Sequence, residues 1–494
     1  MLSKHRVVDL LPTKHGHFIG GMYVDPRGAE VYTNIAPAYD MPLGDVAVGT
    51  ADDVQVAVDA AKAALAGPWG RTTPSERAKV LRRVAELLLE HRQAFARLEA
   101  LDSGKPYSEA YEGDIARSAH NFQFFADLTA HQVSPSYTSD DGTLHTTLRE
   151  PIGIVGLITP WNLPLYLATW KLAPALAQGN AVILKPAELT PLTAMAMGNV
   201  FNAAGLPPGV VNIIQGFGAG GAGEALVKHP DVKAISFTGE TTTGEAIMRA
   251  AAPQLKKLSF ELGGKGATVI FADADLDQAV ATAARAAFRN QGQICLAGSR
   301  LIVERSVAPQ VIDQLLVAVR SIKIGDPLDP MTTMGSLVSR DHRDKVEKYA
   351  AYAKSCPGVE ILCGGKIPSD YRQGAYFEPT VVTGVAQESR LIQEEVFGPV
   401  LTVQVFDSAD EAQNMVNGTP YGLSCSVFTR DINKAQNFAR SARMGLVWLN
   451  TWFSRDLHTA FGGMKRSGIG REGGQYSLDF FSEFKTISMA MRPY

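Results

Sequence analysis

From about residue 150 onward, short β-branched runs alternate with helical stretches, and few folds accommodate that pattern. The runs IGIVGLI, AVILK, VVNII and AISFT are interleaved with helical segments such as LTAMAMGNVFNAAG and TGEAIMRAAA. This alternation predicts βαβ units built on a parallel sheet that is covered on both faces. A second alternation begins at LSFELGGKGATVIF, includes a helix around Asp275 to Phe288, and continues through VQVF and MGLVWLN. The expected fold class is therefore α/β, with two doubly wound lobes meeting near residues 258–266. A chain of 494 residues is too long for one ordinary domain, and its 46 % hydrophobic content can fill two cores. Upstream, DDVQVAVDAAKAAL and SERAKVLRRVAELLLEHRQAFARLEAL carry apolar stripes at helical spacing. The polar stretch QVSPSYTSDDGTLHTTLRE reads as an exposed, strand-rich hairpin outside both lobes, and the last fifteen residues read the same way.

Several function classes are excluded early. The net charge is only −3 and no Lys/Arg block occurs, which argues against nucleic acid. The N-terminal MLSKHRVVDL lacks the apolar stretch of a signal peptide, and the longest apolar run, near IGIVGLITPW, falls short of a membrane span. Cys295, Cys356, Cys363 and Cys425 show no paired zinc spacing, so no metal site is expected, and they are too few for a disulfide scaffold. These features predict a soluble protein of the cytoplasm.

One of the four cysteines sits in QGQICLAGSR, among glycines and small residues, where it adds little to a core. A buried cysteine usually behaves as a small hydrophobe, so Cys295 needs support from elsewhere in the chain. Glycine patterns supply little. GFGAGG (Gly216 to Gly221) fits G-x-G-x-x-G, with Glu240 about 20 residues beyond, but GIGREG (Gly468 to Gly473) fits equally well among 46 glycines.

Stronger support comes from PWNLP (Pro160 to Pro164), KPAE (Lys185 to Glu188), FELGGK (Phe260 to Lys265), QGQICLAGSR and EEVFGP (Glu394 to Pro399) taken together. In this order and at these separations the set resembles the aldehyde dehydrogenase superfamily, over about residues 17 to 489. The resemblance implies a Rossmann-like NAD-binding lobe (residues 1–127 and 148–263) and a catalytic lobe (264–462). It also implies a β-hairpin oligomerisation element (128–147 and 478–494) and assembly as a homodimer or homotetramer.

By the same resemblance Cys295 is the nucleophile. A thiolate adds to the aldehyde carbonyl, the adduct gives up hydride to the nicotinamide, and a thioester remains. The Asn162 amide and the Cys295 backbone N–H would hold the oxyanion. Without the family, Asn162 reads as a turn residue before Pro164. Glu261 matches the general base that hydrolyses the thioester, which favours a free acid over acyl transfer to coenzyme A. Its apolar neighbours would raise its pKa, and the plain alternative is an edge-strand pair with Lys265.

For the cofactor, Lys185 and Glu188 match the pair at the adenine-side ribose, and the carboxylate favours NAD over NADP. Glu395 and Phe397 match residues beside the nicotinamide ribose and ring. The pyrophosphate would lie near FTGETTTG, at a helix start. Trp161, Gly218, Phe237, Gly239, Glu240 and Leu262 complete the implied cofactor set, with Gly218 letting a helix approach the adenine. Glu240 departs from the serine common in relatives, so its carboxylate is expected to turn away.

Two arginines point to the substrate. Arg117, in GDIARSAHNFQFF, and Arg455, in NTWFSRDLHTAFGG, stand where broad-range relatives usually have apolar side chains. With PWNLPLYLATWK they resemble the muconic semialdehyde dehydrogenase branch, whose substrates carry a carboxylate remote from the aldehyde. Guanidinium forks bind carboxylates bidentately, so an anionic small-molecule aldehyde is expected. Leu167, Trp170, Trp452 and Phe461 would flank its conjugated chain. The plain alternative is an ion pair, Arg117 with Asp114 for instance. Three rival readings remain: a broad-range enzyme for neutral aldehydes, a cofactor-independent cysteine esterase, and a non-catalytic binding protein.

Overall fold

The computed structural model describes residues 16–491. The expectations for MLSKHRVVDL, for residues 1–15 of the first lobe and for 492–494 of the outlying element lie outside the described residues.

The first sheet has eight strands. Its five central strands are parallel, in the order Val211–Ile213, Ala181–Lys185, Ile154–Ile158, Val232–Thr238, Lys257–Glu261. Chain order therefore reverses between Ile154–Ile158 and Val232–Thr238. A crevice opens at the carboxyl ends of strands at such a switch point. The inner strands are uniform apolar runs because helices cover both faces, Pro164–Ala177 and Leu192–Ala203 on one and Ala51–Ala66, Ala222–Lys228 and Thr241–Ala251 on the other. The upstream helices start as their sequence dictates. Thr50 and Asp53 form a capping box before Ala51–Ala66, and Thr73 with Glu76 does the same before Pro74–Glu90.

The second sheet has seven strands, six of them parallel, in the order Thr380–Thr383, Val400–Phe406, Arg300–Glu304, Ala267–Ile270, Ser424–Phe428, Leu446–Leu449, with Glu360–Cys363 antiparallel at the edge. The expected helix near Asp275 runs Leu276–Phe288, with the Asp275 side chain capping it. LSFELGGKGATVIF is divided between the sheets: Lys257–Glu261 closes the first and Ala267–Ile270 belongs to the second. The chain crosses over residues 262–266.

A third, antiparallel sheet joins Ser136–Thr138, Thr143–Pro151 and Ser482–Ala490. Its middle strand runs past residue 148, where the sequence suggested the first lobe resumes. The strand Gly468–Ile469 pairs with Phe260 and Glu261 and so extends the first sheet. Among the described residues, no helix is long and apolar enough to cross a membrane.

Candidate active site

The segment that carries Cys295 is shaped by its backbone. Asn290, Gln291 and Gly292 all adopt positive φ (50°, 57° and 70°) just after the Leu276–Phe288 helix. A run of left-handed residues costs free energy and persists only where surrounding contacts hold it. Here the Asn162 and Asn290 side-chain amides both donate to the Gln293 carbonyl (2.8 and 3.1 Å), and the Trp452 indole donates to the Leu296 carbonyl (2.9 Å). On the other side, Gly264 lies so close that a Cβ there would stand 2.3 Å from the Cys295 carbonyl oxygen. Asn162 uses one amide hydrogen on Gln293, which leaves its second for a group beside Cys295. Burial pushes the Cys295 thiol up to about 12, helped by Glu395 and Glu261 and opposed by Arg455.

Glu261 ends its strand with both carboxylate oxygens buried and unpaired. Its pKa lies well above the usual carboxylate range because it is buried and because Glu472 repels it, with Lys171, Arg455 and Arg471 opposing. The alternative pairing with Lys265 does not occur, since Lys265 faces Arg300, Glu395 and Glu394 instead. Glu472 was missed in the sequence. It accepts from Lys171 Nζ (2.6 Å), Trp170 Nε1 (2.6 Å) and Ser236 Oγ (3.1 Å), all buried. Its signal lay in GIGREG, where glycines drew attention to a phosphate fingerprint and away from the acid among them.

A groove leads from this centre to the switch point of the first sheet. Its inner part, ≈ 270 Å³, is bounded by Asn162, Leu262, Cys295, Glu395 and Phe397 among others. Its outer part, ≈ 630 Å³, reaches Lys185, Glu188, Gly218 and Phe237. The two share Pro160, Trp161, Thr238, Gly239 and Glu240, so they form one continuous path. Lys185 Nζ contacts Glu188 Oε2 at 3.2 Å, and burial lowers the pKa of Lys185. At the inner end, Glu395 accepts from the Gly264 N–H (2.8 Å), and burial raises its pKa to about 7. Phe397 holds φ at 58° and packs edge-on to Trp161 at 5.2 Å.

This groove fits a dinucleotide. The helix Thr241–Ala251 begins in it without a side-chain cap, so its first N–H groups are free to meet an anion. Open space surrounds Gly218, where a Cβ would meet nothing within 4 Å. Glu240, an exposed residue, lines both parts of the groove and contributes to raising the Glu395 pKa.

A third cavity, of ≈ 180 Å³, is lined by Leu163 and Ile294, the chain neighbours of Asn162 and Cys295. Arg117 and Arg455 both face it. The expected alternative for Arg117 is not seen: Asp114 is held by Lys105 at 2.5 Å, while Arg117 Nε and Nη2 and Arg455 Nη2 are buried without an acceptor. Both guanidiniums lie over the Tyr166 ring, at 5.9 and 5.6 Å, and Arg455 sits 3.9 Å above Phe461. The flanking set also differs from expectation. Tyr166 and Phe453 line the cavity, whereas Trp170 and Phe461 pack around Arg455, Trp452 is tied to Leu296, and Leu167 faces the groove. Trp170 is turned into the core because its indole N–H is committed to Glu472.

A thiol, a buried base, a dinucleotide groove and an arginine-lined pocket thus converge from distant parts of the chain. The comparisons with known proteins agree with that chemistry. Residues 23–487 match the model of the aldehyde dehydrogenase family. The 2-hydroxymuconic semialdehyde dehydrogenase of Pseudomonas sp. (strain CF600) is 45 % identical over 483 residues, covering 96 % of this chain and 99 % of that one. The 2-aminomuconic semialdehyde dehydrogenase of Danio rerio is 44 % identical over 488 residues, covering 96 % and 97 %. Among solved structures, the NAD+ complex of an aldehyde dehydrogenase from Bacillus cereus superposes with a TM-score of 0.96 at 38 % identity, covering 99 % of both chains. By the family model it matches, the identity of these relatives and the fold it shares with them, the chain belongs to the aldehyde dehydrogenase family.

Proposed function

We propose that this enzyme oxidises a small carboxylate-bearing semialdehyde to the corresponding acid with NAD, a reading supported by relatives named 2-hydroxymuconic and 2-aminomuconic semialdehyde dehydrogenase and by a neighbour solved with NAD+. One observation carries the substrate class: Arg117 and Arg455 both line the cavity beside Leu163 and Ile294, and three of their guanidinium nitrogens are buried without a hydrogen-bond acceptor. A buried donor without an acceptor costs roughly 1–3 kcal/mol, and a substrate carboxylate supplies the missing acceptor.

In this reading the aldehyde carbon lies at Cys295 Sγ, and the carboxylate points away toward the arginines. Asn162 and the Cys295 backbone N–H hold the oxygen of the thiohemiacetal. Lys185 and Glu188 hold the ribose at the outer end of the groove, Glu395 holds the one at the inner end, and Trp161, Phe237, Gly239, Glu240, Leu262 and Phe397 form the walls. Bound NAD supplies the hydride acceptor. Glu261 then takes a proton from water, which attacks the thioester and releases the acid and the free thiol. The first sheet's lobe serves the cofactor and the second supplies the nucleophile. The third sheet, with Phe484, Ile487 and Met489 exposed, is the surface through which copies assemble as a dimer or tetramer. Four free cysteines suit a cytoplasmic location.

The direct test is Arg455→Ala with two probes of equal length, 6-oxohexanoate and hexanal. A charged hydrogen bond contributes about 1.5–3 kcal/mol, so KM for the anionic probe is expected to rise roughly 10- to 150-fold. The ratio of kcat/KM for the anionic over the neutral probe falls accordingly. Equal effects on both probes, or a wild-type preference for hexanal, rule out carboxylate recognition. For the cofactor, the Glu188 carboxylate would oppose a 2′-phosphate, and Lys185 offsets only part of that repulsion. NAD is expected to exceed NADP by about tenfold or more in kcat/KM, and equal use of the two would refute the role of Glu188.

A further inference from the structure

A third arginine, Arg289, stands at the mouth of the substrate cavity. Outside that cavity lies a wider cleft of ≈ 550 Å³, whose lining includes Arg285, Phe288 and Glu112. The inner cavity and the outer cleft share three residues: Glu109, Gly113 and Arg289. Arg289 Nε lies 3.4 Å from Glu109 Oε1, so this ion pair forms the wall between the two spaces. Gly113 belongs to the π-helical turn Ala110–Ile115, and a Cβ there would come within 3.3 Å of Arg289 Nη2. The glycine gives the guanidinium room to lie across the opening. The Phe453 ring, held at a φ of 63°, has Arg289 at 5.2 Å and Arg455 at 5.8 Å. One aromatic ring therefore bridges the mouth arginine and the inner pair.

We propose that the Arg289–Glu109 ion pair is a gate that selects anionic aldehydes: the incoming carboxylate takes the place of Glu109 on Arg289 and then passes over Phe453 to Arg117 and Arg455. This rests on the anionic-substrate reading above. The exchange is feasible because the pair is weakly made. Its contact is long and both partners are partly exposed, at 31 % and 24 %. Glu109 is also a poor competitor for the guanidinium, since partial burial and the nearby Asp114 raise its pKa, against Arg289 and Lys105. Of the other charged groups at this wall, Asp114 is committed to Lys105 and Glu112 to Arg92 at 3.0 Å, which leaves Arg289 and Arg285 to meet an anion in the cleft. Arg289 acts on selectivity and rate of capture, not on the chemical step.

The test compares the wild type with Arg289→Ala, Arg289→Lys and Glu109→Gln, using 6-oxohexanoate and hexanal at several ionic strengths. Arg289→Ala is expected to lower the anionic-to-neutral ratio of kcat/KM about tenfold, mainly through KM, and to flatten its decline with salt. Arg289→Lys should recover part of the ratio. Glu109→Gln, which frees Arg289, should lower KM for 6-oxohexanoate. A wild-type ratio near one overturns the anionic-substrate reading itself. A high wild-type ratio that Arg289→Ala leaves within twofold, or equal losses on both probes, overturns the gate alone.

Discussion

Cys295→Ala is expected to lower kcat/KM for every aldehyde by more than about 10⁴-fold, the scale on which removal of a covalent nucleophile acts. No neighbouring thiol can replace it: Cys425 is buried in its own strand, Cys363 lies in the edge strand of the second sheet, and Cys356 lies just before that strand. The fold should survive the change. The bonds that hold the segment end on the carbonyls of Gln293 and Leu296, and Gly264 packs against the Cys295 carbonyl, so none of them needs the sulfur. Calorimetric titration with NAD should therefore give an affinity close to that of the wild type, while NADH formation disappears. Activity within tenfold of the wild type would sink the covalent mechanism.

Glu261→Gln separates the two halves of the reaction. General-base catalysis contributes about 10²–10⁴-fold, so thioester hydrolysis should slow by that order while hydride loss is affected less. An NADH burst followed by slow turnover, with an acyl adduct visible by intact-protein mass spectrometry, is the expected signature. The absence of an adduct, together with a hydride step impaired as much as turnover, counts against the assignment. The wild type carries a pH test of the same residue. Burial and Glu472 hold the Glu261 carboxyl protonated to a pH above its ordinary value of 4.5. Only the carboxylate can accept a proton, so the wild-type hydrolysis rate falls as pH drops through that raised pKa. In the glutamine variant that acid limb should vanish.

Much of the fold is legible along the chain because its signals are local. The capping boxes at Thr50 and Thr73, the Asp275 cap and the apolar runs of the inner strands each depend on residues a few positions apart. The segments that carry Cys295 and Glu261 stand out for the same reason. The substrate cavity is not, because it is made by convergence. Arg117 and Arg455 meet although 338 residues separate them, and Tyr166 and Phe453 join them from two further elements. Helical periodicity shows that Leu163, Tyr166, Leu167 and Trp170 are interior. It does not show that Leu163 and Tyr166 meet the cavity, Leu167 the groove, and Trp170 the carboxylate of Glu472. The partner of Glu109 is hidden likewise, since Arg289 follows a helix in the other half of the chain.

The crossing at residues 262–266 has a mechanical meaning. Glu261 closes one sheet, and three residues later Gly264 is pressed against the carbonyl of Cys295, which belongs to the other half. Three residues reach at most roughly 10 Å of chain. The separation of Glu261 from Cys295 is thus set by three residues of backbone together with the packing of Gly264 on the Cys295 carbonyl. In the proposed mechanism these are the base and the nucleophile, which act in succession on one carbon, so lengthening that link would part them even with both sheets intact.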